Sequence, residues 1–160
     1  MALITILALT ILGAQSRPDY NGTWVLSSAK SAKAIQEGLS PVNGRMTLTI
    51  TEKEVTIVNR VGKPGEANAD GGTESRIVCG FGALPTENNQ AMRAVLCSAK
   101  WDGDQLVTTR APKSYPAMKP DNSMTVTRLS LAGTELKTTT TSRLASGKEL
   151  TGTLVYDRAR

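Results

Sequence analysis

The chain contains no histidine. That absence excludes Ser-His-Asp and Cys-His catalysis and every His-ligated metal site. Cysteine occurs twice, at Cys79 and Cys97, and two thiolates without histidine cannot complete an ordinary structural zinc site. No cofactor and no metal is therefore expected. Aromatic residues make up only 4% of the 160 residues, so a core must be built from Val, Leu, Ile, Met and Ala. No block of like charge exists. The formal net charge of +5 comes from Lys and Arg spread along the chain, and no basic run interleaves with aromatics. A nucleic-acid partner is not expected from so dispersed a pattern.

Long apolar runs are also missing, with one exception. Met1 to Leu12 carries no charged side chain, but a transmembrane helix needs about 20 apolar residues, so no transmembrane span is expected. The run fits the apolar region of a secretory signal, with small residues Ala14 and Ser16 suited to cleavage. It departs from that pattern in having no Lys or Arg ahead of the run. Residues 1–16 are read as a signal peptide, residues 17–160 as one domain, and the location as periplasmic or secreted. Two cysteines in an oxidising compartment usually bridge. Cys79 and Cys97 sit symmetrically about Asn88, in the loop-like stretch Pro85 to Gln90. A hairpin folded there would bring them across neighbouring strands at disulfide distance. The alternative is two buried free thiols.

What the chain does have is alternation. Met46, Leu48 and Ile50 alternate with Thr47, Thr49 and Thr51, and Val55 and Ile57 flank Thr56. Such period-two patterning predicts a hairpin. Further strands are predicted over 21–26, 74–81, 92–101, 104–111, 123–131, 135–144 and 149–158. Asp102-Gly103 is a tight-turn dipeptide. The stretch 27–39 can hold one short helix near the start, ended by Gly38 and Pro41. About nine short antiparallel strands on even spacing predict an all-β sandwich or barrel. A single up-and-down β-barrel has the advantage of leaving no sheet edge.

Three motifs then carry a resemblance. Gly22-Thr23-Trp24 is followed by Lys30-Ser31; Trp101-Asp102-Gly103-Asp104-Gln105-Leu106 forms a hairpin; Val155-Tyr156-Asp157-Arg158 closes the chain. In that order they resemble the calycin group of lipocalins, fatty-acid-binding proteins and avidins. More narrowly, they resemble small exported bacterial lipocalin-like barrel proteins. The resemblance implies a closed barrel in which the first and last strands are neighbours. Gly22 would let the backbone pass closely at the barrel floor. Trp24 would plug the floor, and Arg158 would lie across the indole as a cation–π pair. Where fatty-acid-binding proteins carry Arg-x-Tyr on the final strand, this chain has Leu154-Val155-Tyr156, so that arginine is absent.

The remaining candidates are polar side chains within strands. Arg110, Arg128 and Tyr156, with Met124 beside them, are the candidate ligand-binding residues, because an inward guanidinium receives a carboxylate through two parallel hydrogen bonds. Alternation alone does not say which Thr-rich face points inward. The expected function is binding of a small hydrophobic or amphipathic, anionic ligand. A second reading is an envelope interaction or inhibitor protein using loops 61–73 and 111–122. A third is a barrel enzyme without histidine. Of these, a non-enzymatic binding protein is expected.

Overall fold

The computed structural model describes residues 17–37, 44–62, 72–82, 86–88, 95–112, 124–144 and 146–160. The expected signal segment 1–16 and most of loops 61–73 and 111–122 lie outside the described residues. The strands are β1 (Gly22–Leu26), β2 (Arg45–Ile50), β3 (Glu54–Val61), β4 (Thr73–Phe81), β5 (Thr86–Asn88), β6 (Val95–Asp102), β7 (Gln105–Pro112), β8 (Met124–Ala132), β9 (Glu135–Arg143) and β10 (Glu149–Arg158). One short helix, α1 (Ala32–Gln36), follows β1.

The strands run β4-β3-β2-β1-β10-β9-β8-β7-β6-β5, and a further pairing of β4 with β6 closes the sheet on itself. The ring has nine strands, as the period-two count predicts. The tenth, β5, is an addition: Thr86–Asn88, expected as loop, pairs with β6 at Val95 to Cys97, while β4 pairs with the next residues, Ser98 and Ala99. β1 and β10 are neighbours, with Trp24 opposite Arg158 and Leu26 opposite Tyr156.

One seam departs from the antiparallel plan. β4 and β6 run parallel, and only Gly80↔Ser98 and Phe81↔Ala99 are in register. Cys79 and Cys97 form a disulfide beside that short ladder, with Cα atoms 4.5 Å apart. The expected bond is present, but its geometry is not the expected hairpin around Asn88. The chain between the cysteines makes β5 and returns, so the bond ties two parallel strands where hydrogen bonding is thinnest.

Turns fix the remaining registers. Asp102 pairs with Gln105, so the two-residue loop is Gly103-Asp104, one position later than expected, with Gly103 at φ 59°. Ala132 pairs with Glu135 in the same way, with Gly133 at φ 62°. Glycine adopts positive φ without the Cβ penalty, which is why it opens both loops.

Those registers set one continuous inner face. The row Leu106–Leu129–Thr138–Leu154 crosses β7 to β10. Towards one end lies the row Leu131–Leu136–Tyr156–Leu26 and then the pair Arg158–Trp24. This end is the floor. Tyr20, Trp24, Leu48, Val55, Leu106, Leu129 and Leu136 are all at most 1% exposed there. Fully burying one large apolar side chain contributes about 1.5–3 kcal/mol, so this cluster dominates the barrel's stability.

The floor is sealed by polar handles on aromatic bodies. The Trp24 indole Nε1 donates to the Tyr20 carbonyl at 3.1 Å. The Tyr20 hydroxyl lies 2.7 Å from the Asp104 carbonyl and 3.0 Å from that of Leu129. Arg158 sits 4.8 Å over the Trp24 ring, and its guanidinium also donates to the carbonyls of Asp19 and Asn21. Gly22 stands beside this plug at φ 128°. An added Cβ would meet nothing within 4 Å. The glycine therefore serves its backbone angle, and the expected close approach is not its reason. Lys30 and Ser31 dock the segment after β1: Lys30 Nζ donates to Glu135 and Asp157, and Ser31 Oγ accepts from the Val155 N–H at 3.0 Å.

Candidate ligand cavity

The inner face changes character one step above the Leu106–Leu129 row. There the row reads Thr108–Thr127–Thr140–Gly152, and the next reads Arg110–Thr125–Ser142–Leu150. A cavity of about 170 Å³ opens at this level. Met46, Ile57 and Ile77, from β2 to β4, form an aliphatic wall, and Leu129 and Leu154 extend it. Thr108, Thr127, Thr138, Thr140 and Arg110 form a hydroxyl-rich wall opposite. A second space of about 260 Å³ adjoins it along Arg110, Thr140, Ser142, Leu150, Gly152 and Leu154. Arg110, Thr140 and Leu154 line both, so the guanidinium stands at their junction.

Arg110 has no hydrogen-bonding or ion-pair partner among the described residues. Among the described residues it is the one charged side chain lining either space. Burial pushes its pKa below the ordinary guanidinium value, because desolvation penalises the charged form. The starting value is so high that the group stays a cation at neutral pH. Tyr156, also on the lining, has its phenol pushed up to about 12 by burial, so it is a neutral donor and acceptor near pH 7.

The hydroxyl wall contains two kinds of group. Thr127 and Thr140 hydrogen-bond each other at 3.1 Å, and Thr125 and Ser142 at 3.2 Å. Thr108 and Thr138 are only 2% and 5% exposed, yet their hydroxyls have no partner among the described residues. Both line the cavity. Open to the cavity, these hydroxyls are available to a water or a ligand.

The four candidate ligand residues separate. Arg110 and Tyr156 stand on the inner face. Arg128 alternates out of it: Thr127 and Leu129 point inward, and the Arg128 side chain, 48% exposed, pairs with Asp102 at 3.0 Å. Met124 shares the outward parity of Arg128 and lines neither space. These two placements correct the expectation that both stand at the cavity. The hydroxyl wall itself was not singled out from sequence. A signal for it existed: an inward Cys97 and the register imposed by Gly103 together place Leu106, Thr108 and Arg110 on the inner face. Among the described residues, no cluster of Cys, Asp and Glu could hold a metal ion, and no helix is long and apolar enough to cross a membrane.

No family model and no curated protein sequence matches the chain. Solved structures do resemble it. Secretory abundant heat soluble protein 4 from Ramazzottius varieornatus aligns with a TM-score of 0.59 at 16% identity, covering 92% of this chain and 100% of that one. The REP1-NXSQ fatty acid transporter aligns at 0.55 and 10% identity, covering 88% and 96%. Fatty-acid-binding protein 1 of Echinococcus granulosus aligns at 0.50 and 12% identity, covering 88% and 98%. At such identities the likeness concerns the architecture alone, a closed β-barrel.

Proposed function

We propose that this barrel binds a small amphipathic anion in its interior and does no chemistry on it. The observation that carries the reading is Arg110, a cation without a counter-ion among the described residues, standing between an aliphatic wall and a hydroxyl wall. Holding a desolvated charge costs folding free energy, and an incoming anion offsets that cost through charge-assisted, bidentate hydrogen bonds. The apolar part of the ligand rests on Met46, Ile57, Ile77, Leu129 and Leu154. Among the described residues the lining contains no carboxylate to act as acid or base, which favours binding over catalysis. Two of the structural neighbours are named for fatty acids, which agrees with an amphipathic ligand. The disulfide supports work in an oxidising compartment, outside the cell or in a periplasm.

The test is isothermal titration calorimetry with nonanoate on the wild type and on Arg110→Met, with thermal melts to confirm folding. Nonanoate binds the wild type, and the substitution weakens it at least about tenfold, the scale of one lost charge-assisted hydrogen bond. Equal binding by both proteins overturns the reading, and so does the absence of binding by either when octyl sulfate and 3-hydroxynonanoate are titrated beside nonanoate.

A further inference from the structure

We infer that the charged end of the ligand is a monoanion with more oxygen atoms than a carboxylate: a tetrahedral ester such as an alkyl sulfate, or a hydroxylated carboxylate. This rests on the binding reading above and specifies the class of headgroup.

Charge limits the ligand first: among the described residues, Arg110 is the only charged group on the lining. One guanidinium neutralises one negative charge, and a dianion would leave its second charge desolvated and unpaired. Donor capacity limits it next. A carboxylate offers about four lone-pair sites and the guanidinium fork takes two of them, so about two remain for the hydroxyl wall. Yet Thr108, one step from Arg110 on β7, and Thr138 on β9 are buried to more than nine-tenths without a partner among the described residues. Each brings one O–H donor and two lone pairs to the cavity. The Thr127–Thr140 pair adds more: two hydroxyls share one hydrogen bond, so one proton of the pair stays free to donate. Thr125 with Ser142 does the same beside Arg110. Thr108, Thr138 and the Thr127–Thr140 pair line the same inner space as Arg110, and they bring more O–H donors than the remaining sites of a carboxylate take up. They suit oxygens beyond the first two.

Apolar lining sets a further limit. The inner space of about 170 Å³ holds the aliphatic wall, and the adjoining space of about 260 Å³ adds only Leu150 to it beside Arg110, Thr140, Ser142 and Gly152. Apolar contact is thus concentrated in the inner space, and the polar lining around it places much of the recognition on the headgroup. The purely aliphatic carboxylate tail-binder implied by an apolar cavity is a poorer match, because it would bury unused hydroxyls against methylenes.

The experiment compares three probes by calorimetry on the full chain: octyl sulfate, 3-hydroxynonanoate and nonanoate. Octyl sulfate and nonanoate carry the same octyl tail. At least one of the oxygen-rich probes is expected to bind about tenfold tighter than nonanoate, the scale of one well-made hydrogen bond to a charged group. Which one does so separates a tetrahedral ester from a hydroxy acid. Thr108→Val and Thr138→Val, measured singly, should lower the affinity of the oxygen-rich probe several-fold more than that of nonanoate and so erase the preference, which is read as the ratio of the two affinities on each variant. Thr108→Ser keeps the hydroxyl and should retain it. If nonanoate binds as tightly as both other probes, the headgroup inference fails while anion binding stands. If none of the three binds, both fail. If the valine variants lower all three affinities equally while folding normally, the hydroxyls are packing elements and the inference fails.

Discussion

The two halves of this barrel are made from the same strands and differ in what those strands turn inward. β8 ends in Leu129 and Leu131 at the floor but begins with Thr125 and Thr127 in the open half. β9 starts with Leu136 and continues inward with Thr138, Thr140 and Ser142. β7 passes from Leu106 to Thr108 to Arg110. β1 meets β10 only at Trp24 to Leu26, near the floor, whereas β7 to β10 run through both halves and there differ in their side chains. The floor gains from burial. The open half forgoes that gain to keep hydroxyls and a charge facing inward, which is where a protein spends stability on recognition.

The sharpest way to break this comparison is within one cross-strand pair. Leu129 and Thr138 face each other directly across β8 and β9. Leu129→Ala removes a side chain 1% exposed in the floor cluster and should cost about 2–5 kcal/mol in urea unfolding. Thr138→Val changes a buried hydroxyl that nothing among the described residues satisfies. It should cost less than about 1 kcal/mol or stabilise, because an unpaired polar group is replaced by an apolar one of similar shape. Equal losses at both sites would erase the distinction between the halves.

Next in size is the seam. The disulfide joins residues 18 apart in sequence, beside two ladder pairs. Closing a loop of that length in the unfolded chain is worth about 3 kcal/mol. Reduction, or the paired change Cys79→Ser with Cys97→Ser, should lower the urea midpoint accordingly. A fall much smaller than this would show that the parallel pairing alone keeps the ring shut.

Tyr156 bridges the halves, and alkaline pH reads it out. Its phenol ionises at about 12 in the barrel and near 10 when free. The unfolded chain therefore loses this proton first as pH rises. The contribution of Tyr156 is complete below pH 10 and fades between 10 and about 12. Melting temperature should fall across that window, and Tyr156→Phe should flatten the fall. Tyr20, whose phenol is also raised by burial, keeps some of the decline.

How far these features were legible in sequence follows from what alternation encodes. The resemblance to calycins implied the adjacency of Trp24 with Arg158, and period two gave the nine ring strands. It could not place β5, because Thr86-Glu87-Asn88 is too short and polar to signal a strand. It could not foresee the parallel seam, because a hairpin explains the same cysteine spacing. It distinguishes the two faces of a strand but not which is inner when both carry threonine. Thr127 and Arg128 illustrate this: either could have faced inward by composition, and the inward one was settled by Leu129, two residues on, joining the floor.

The smallest expected effect tests that same assignment. Arg128 and Arg110 are the same residue on neighbouring strands with opposite surroundings. Arg128 is half-exposed and paired with Asp102, and exposed pairs contribute about 0–1 kcal/mol. Arg128→Ala should therefore shift stability by less than about 1 kcal/mol and leave anion affinity unchanged, since water already screens its charge from the cavity. Arg110→Met should do the opposite on both counts. It removes a desolvated charge and so raises the melting temperature, while binding is lost. If Arg128→Ala weakened binding as much as Arg110→Met, the anion would be held by long-range charge, and the inner position of Arg110 would carry no specific role.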